Sequence, residues 1–200
     1  SLASKASCGD RVNAFTANES RAINAGDIVV RASTKATTVV APVLERFAAA
    51  GRVTEQSEFV ELPTMIGDSN GTVSKLIELK AVDAGYPLYG RMTLVDGSVF
   101  AHPLLADRGI LIGPTLAAQL DVAVGDAVKV GETTFTIRGL IEREPDSGIA
   151  NFNVGSRAII AKADLPATKL LDRPVRARSV TMLRVPDADY KSTFGDLKKE

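Results

Sequence analysis

The sequence predicts an α+β fold: one α/β lobe assembled from both ends of the chain, with a β-rich segment inserted between them. Three observations predict it. Strand-like and helix-like stretches alternate near both ends. The middle of the chain carries short period-two runs separated by glycine-containing turns. Its 200 residues, 45% of them hydrophobic, suffice for a sizeable core. The expected segments are 1–26, helical; 27–89, the first half of the lobe; 90–150, the inserted β-rich module; and 151–200, the second half of the lobe and a C-terminal helix.

Asp10–Asn24 reads as a helix with apolar residues at Val12, Phe15, Ala22 and Ile23, ended by Asn24-Ala25-Gly26. Asp27–Ser33 is a strand whose consecutive β-branched residues suit cover on both faces. Thr37 or Thr38 caps a helix over Val39–Ala50, with Val40, Val43, Leu44 and Phe47 on one face and Gly51 as the stop. Val53–Ile66 is a long strand in which Pro63 argues for an edge position or a bend. Gly67–Gly71 is a hairpin loop, and Val73–Val82 returns as the partner strand. This β-α-β-β order places helices on one face of a mixed sheet.

Asp83–Gly90 leaves the lobe. The rings of Tyr86 and Tyr89 are expected to pack at the junction with their hydroxyls on solvent or backbone; the functional alternative is a partner contact. Gly109–Ile112 is a short apolar strand, and Gly113-Pro114 opens a helix of about two turns that aligns Leu116, Ala117 and Leu120. Val124-Gly125-Asp126 turns into Ala127–Val130 and Thr133–Ile137, a hairpin across Gly131-Glu132. Thr136, Arg138 and Glu142 are expected on one side of this strand, with Phe135, Ile137 and Ile141 on the other. Pro145–Gly148 closes the module, and a loop runs to Gly155. Arg157–Ala161 is a strand, Ala163–Leu171 a short helix with Pro166 in its first turn, and Ser179–Val185 a last strand. Asp187 caps a helix toward Glu200.

Chemistry is sparse. Basic and acidic residues balance at 24 each, so no global field gathers nucleic acid or anionic lipid. Cys8 and His102 are each the sole residue of their type, which excludes an intrachain disulfide, a histidine dyad and a His-based zinc cluster; they come from distant parts of the expected structure. No Gly-x-Ser-x-Gly elbow and no phosphate-cradling glycine loop occurs. Glu142, Glu144 and Asp146 around Arg143, and Asp107 beside Arg108, read as solvated turns. The oxygen-rich alternation of a calcium loop is absent from Glu144–Gly148. No run approaches the roughly 20 apolar residues of a membrane helix. Arg173, Arg176 and Arg178 form the local basic run: a solvated connection, or a contact for a partner protein or anionic headgroups.

Glu78-Leu-Lys-Ala-Val-Asp-Ala-Gly-Tyr-Pro-Leu-Tyr-Gly90, then Gly109-Ile-Leu-Ile112 and its helix, then Val124-Gly-Asp-Ala-Val-Lys-Val-Gly131 and Phe135-Thr-Ile-Arg-Gly-Leu-Ile141 stand in a telling order. From about Asp10 to about Val185 the chain resembles the extracytoplasmic core domain of MacB/FtsX-type ABC transporter permeases, nearest to the YbbP-like subgroup. The resemblance implies a Porter-like lobe with an inserted Sabre-like module, and a first segment that continues a membrane helix. It implies a non-catalytic domain on the extracytoplasmic side of the cell inner membrane, its parent carrying membrane helices on both sides. That parent would couple ATP-driven helix motion to envelope transport or mechanotransmission. ATP would be used by a separate cytoplasmic ATPase, with no cofactor in this domain, and further partners would be an envelope accessory protein or a lipid-like substrate. The matching motifs are turns and strands, so they assign no catalytic, cofactor or metal residue. Tyr86, Tyr89, Arg173, Arg176 and Arg178 remain the candidate partner contacts. A soluble ligand- or protein-binding module is the alternative function, predicting an apolar pocket with convergent polar groups; an enzyme acting through carboxylates or Cys8 is a second, predicting titratable groups with shifted pKa values in a cleft.

Overall fold

The computed structural model of the protein describes residues 13–14, 28–33, 37–145 and 156–197. The strands are β1 (Asn13–Ala14), β2 (Ile28–Ser33), β3 (Glu55–Asp68), β4 (Ser74–Val82), β5 (Thr93–Leu94), β6 (Gly109–Ile112), β7 (Ala127–Val130), β8 (Thr133–Arg143), β9 (Ser156–Ala161) and β10 (Arg178–Arg184). The helices are α1 (Thr37–Ala49), α2 (Pro114–Leu120) and α3 (Tyr190–Leu197). Local signals explain their limits. Gly51 adopts φ +71° and its N–H bonds the Ala48 carbonyl at 2.9 Å while the Arg52 N–H reaches Phe47 at 3.0 Å, a double closure of the helix end that satisfies two orphan carbonyls. Pro114 occupies the first turn of α2, where its missing N–H costs no intrahelical bond.

The sheet closes on itself. β3 pairs β4, β4 pairs β9, β9 pairs β6, β6 pairs β8, β8 pairs β7, and β7 returns to β3. The result is a six-stranded barrel, with β10 and then β2 extending from β3 as a wing. Its interior holds Leu62, Ile66, Leu79, Ile110, Val128, Phe135 and Ile160, all without solvent exposure, and α2 adds Leu116, Ala117 and Leu120. Each such large side chain contributes about 1.5–3 kcal/mol relative to exposure. A second core, on the outer face, packs Phe59, Val82, Tyr86, Met92, Leu94, Phe100 and Leu105, so residues 86–105 cover that side. A third joins α1 and α3 to the wing through Val40, Leu44, Phe47, Ile28, Leu183 and Leu197.

The α+β class, the strand at 28–33 and the β3–β4 hairpin follow the sequence reading. Residues 90–143 supply β5, β6, β7 and β8, and these are woven into the sheet of the lobe: β6 sits beside β9 and β7 beside β3. Three local expectations change. Most of Asp10–Asn24 lies outside the described residues, and Asn13–Ala14 within it pairs antiparallel with Arg31 and Val30 instead of being helical. Pro63 sits at a local edge of β3, as expected, although the strand is paired on both sides before and after it. The Glu58 N–H and carbonyl both engage Asp83 on the β4 side, so odd positions of β3 aim their backbone the other way. On that side β10 stops at Glu61 and β7 starts at Ile66, and the missing N–H of Pro63 falls in the gap.

The helix expected over Ala163–Leu171 is broken into three 3-10 turns. Lys169 turns left-handed at φ +59°, because the Thr168 carbonyl is drawn to the Glu132 N–H at 3.0 Å and the segment seals the barrel with Leu165. Finally, Phe135 and Ile137 do not share a face with Ile141. A register shift sets Ile110 opposite Ile137 and Leu111 opposite Gly139, so Arg138 is an extra residue and the bulge turns Ile141 to the outer core.

Candidate functional site

On the outer face of the barrel, β4 presents Lys80 between Glu78 and Val82, and its cross-strand neighbours are Glu61 and Ile159. Lys80 is only 3% exposed and Glu144 only 6%. Burying a lone cation is costly, so the ammonium is fully surrounded. Its Nζ lies 3.0 Å from Glu144 Oε2 and 3.9 Å from Glu61 Oε1. It also donates to the Tyr86 hydroxyl at 3.4 Å and stands 4.8 Å from the Phe59 ring centroid and 5.3 Å from that of Tyr86, a cation–π setting. Arg157 Nη1 donates to the same Glu144 oxygen at 3.0 Å. One carboxylate therefore bridges two cations from β4 and β9.

Glu78, on the same face, has its carboxyl held above the ordinary value by burial and by Glu61, against the opposing pull of Arg178, Arg157 and Lys80. Across the sheet a small cleft of about 130 Å³ lies between α1 and β10, lined by Leu44, Gln56, Glu58, Asp83, Ser179 and Thr181 among others. Burial pushes Glu58 up, but hydrogen bonds from Lys162 and Ser179 and the Lys162 charge outweigh it, leaving its pKa lowered. Asp83 accepts from Ser57 Oγ, the Glu58 N–H and the Gly85 N–H. These carboxylates are engaged in holding the fold.

The five residues read as partner contacts separate. Tyr86 is 4% exposed, its ring edge-on to Phe59 and Phe100; as a surface contact it is corrected, since the outer core encloses it. Tyr89 is half-buried under the Arg184 guanidinium, 4.5 Å from its ring. Arg173, Arg176 and Arg178 are exposed. Arg178 and Arg184 stand at opposite ends of β10, about 20 Å apart at 3.3 Å per residue, so the arginine run and Tyr89 do not form one surface. The Lys80–Glu144–Arg157 cluster went unread in the sequence. Its one signal is Lys80 breaking the apolar run of β4. Glu144, read as part of a solvated turn, is instead buried. His102 is half-buried at the start of a 3-10 turn, and Cys8 lies outside the described residues. Among the described residues, no group of three or more His, Cys, Asp or Glu side chains is placed to hold a metal ion, and no helix is long and apolar enough to cross a membrane.

The architecture has counterparts among solved structures. It is similar to the extracellular domain of the noncanonic ABC-type transporter YknZ from Gram-positive bacteria, with a TM-score of 0.54 and 14% identity over 76% of this chain and 75% of that one. It is also similar to the periplasmic region of MacB from Actinobacillus actinomycetemcomitans, with a TM-score of 0.51 and 10% identity over 78% and 70% of the two chains. The fold is thus that of the extracytoplasmic domains of ABC-type transporters. In sequence, the Escherichia coli K12 protein named "Uncharacterized ABC transporter permease YbbP" is 33% identical over 161 residues, covering 80% of this chain and 18% of that relative. The model of the MacB-like periplasmic core domain matches residues 8–196, and the chain belongs to that family. It is accordingly a MacB-like periplasmic core domain, on the outer side of the inner membrane, and it spans about a fifth of the length of the permease relative that it matches.

Proposed function

We propose that this domain is a non-catalytic transmission element, carrying motion of the parent's membrane helices into the envelope as one rigid body. One observation supports this above others: Ile28 at the start of β2 pairs with Leu183 at the end of β10. The second strand, β2, and the last described strand, β10, thus meet side by side at one end of a sheet whose other end is the closed barrel. Helices pulling on that shared end move the barrel as a unit, because the ladders run unbroken from β3 through β4, β9, β6, β8 and β7 back to β3, so that no strand shifts separately without breaking ladders. That is rigid-body coupling. A separate cytoplasmic ATPase subunit uses ATP, and this domain needs no cofactor of its own.

The test uses the parent permease reconstituted with its ATPase. A Gly67→Cys/Lys129→Cys pair, opposed across β3 and β7, staples the barrel, and a spin label at Glu132→Cys reports its distance from the bilayer. The expected result is an ATP-dependent change at Glu132→Cys that persists with the staple closed. Loss of that change on stapling, or no response to ATP, overturns the proposal.

A further inference from the structure

The outer face of the β3–β4 hairpin ends in an apolar patch. Met65 and Leu76 are direct cross-strand partners and are 48% and 58% exposed, while their strand neighbours Ile66 and Ile77 are buried in the barrel. Pro63, two residues before Met65 on the same face, is exposed as well. Cations stand on both flanks. On the β7 side, exposed Lys129 lies opposite Gly67; on the β10 side, exposed Arg178 lies opposite Glu61, preceded by exposed Arg176. Two carboxylates border the patch and both have cations beside them: Glu61 faces the buried Lys80 at 3.9 Å, and Glu78, opposite Pro63 on the same face, lies among the charges of Arg178, Arg157 and Lys80.

We propose that this patch docks an acidic, apolar-faced segment of a partner protein in the envelope. The inference rests on the attachment described under Proposed function. Flanking cations around an apolar centre call for carboxylates around an apolar centre. A second copy of this chain, meeting the patch about a two-fold axis, would set cation against cation. A bilayer is too far away: Met65 lies nine residues along β3 from Gln56, the partner of Leu183, hence about 30 Å from the attached end. The arginine run, which the sequence left apart, thereby joins a patch supplied by β3 and β4. Most surface apolar residues stand singly and need no partner; an exposed pair aligned across a ladder and flanked by cations is a better docking feature.

The experiment measures fluorescence anisotropy of a synthetic peptide alternating leucine with glutamate, titrated with the parent permease in nanodiscs. A leucine–lysine peptide and anionic vesicles of phosphatidylglycerol are the other probes. The leucine–glutamate peptide is expected to bind and the leucine–lysine peptide not. Met65→Ser, Leu76→Ser and Arg178→Glu are each expected to weaken binding about tenfold or more, whereas Val124→Ser, at an exposed valine on the turn before β7, leaves it unchanged. No binding, equal binding of both peptides, or indifference to the three substitutions overturns the proposal. So does vesicle binding, or self-association of the permease, that Leu76→Ser abolishes. A dye at Leu76→Cys with a lipid-borne quencher separates the two readings. Quenching overturns the attachment itself, while absent quenching with absent peptide binding overturns the docking alone.

Discussion

Lys80 Nζ lies 3.0 Å from Glu144 Oε2, with both side chains at 4–5% exposure. The pair is asymmetric because Arg157 holds the same Glu144 oxygen. Removing Glu144 takes from the buried ammonium its nearest carboxylate and leaves Glu61 at 3.9 Å, whereas removing Lys80 leaves the carboxylate with an arginine at 3.0 Å. Breaking a buried ion pair costs about 3–5 kcal/mol. Urea denaturation is expected to show Glu144→Ala losing stability in that range and Lys80→Met losing less. Equal losses would mean that Arg157 does not compensate.

Gly131 is fixed by a close approach. It has φ +57°, and a Cβ there would meet the Thr168 oxygen at 2.2 Å. Gly125, at φ +99°, has nothing within 4 Å of the same position. Gly125→Ala therefore meets only the backbone strain of a positive φ, roughly 1–2 kcal/mol, while Gly131→Ala must also displace the 3-10 segment that seals the barrel. Thermal unfolding is expected to place Gly131→Ala well below Gly125→Ala, and the reverse order would contradict the seal.

Leu79 and Leu76 test the register of β4. Leu79 is fully buried and Leu76 is 58% exposed. Leu79→Ala is expected to cost about 2–5 kcal/mol, and Leu76→Ala no more than about 0.5 kcal/mol, in the same denaturation assay. A one-residue slip would turn both to the wrong face.

Glu58 and Glu78 give opposite pH signatures. The Glu58 pKa is lowered from 4.5, so its contribution is present above that value and is lost as pH falls through the folded pKa. The Glu78 pKa is raised from 4.5, chiefly by burial and Glu61, so its contribution is present below that value and is lost as pH rises through the folded pKa. Glu58→Gln is expected to flatten the acid limb of the stability profile. Glu78→Gln is expected to be more stable than the unaltered protein at pH 7 and to converge with it in acid. Calorimetry across pH checks both, and a Glu78→Gln protein less stable at neutral pH would reverse the assigned sign.

Residue patterns made most strands legible because each half-buried ladder leaves a period-two trace. The strand Val73–Val82 and the hairpin at Gly131 came through for that reason. Closure of the barrel did not, since pairing of β7 with β3 joins residues about 60 apart and leaves no local mark. The Arg138 bulge was invisible too: an extra residue resembles an ordinary step of alternation until its partner strand is known. Lys80 on β4 is 64 residues from Glu144, which lies just past the end of β8, and Arg157 is on β9; charged residues near turns are usually solvated, so the cluster had no single-segment signature. Tyr86 stood out as an aromatic at a junction, but its enclosure depends on Phe59 and Phe100.

The position of β10 bears on how such a domain is made. It is the last strand among the described residues, yet it lies between β2 and β3, so β2 has no ladder to the barrel until Arg184 has emerged. A chain delivered across a membrane from its N-terminal side must keep β2 and α1 waiting through most of its export. A product cut short before β10 would expose Ile28, Val30 and the apolar face of α1 to proteases and quality control, even with its barrel strands present. The finished wing is therefore a record that the chain has crossed at least as far as Arg184.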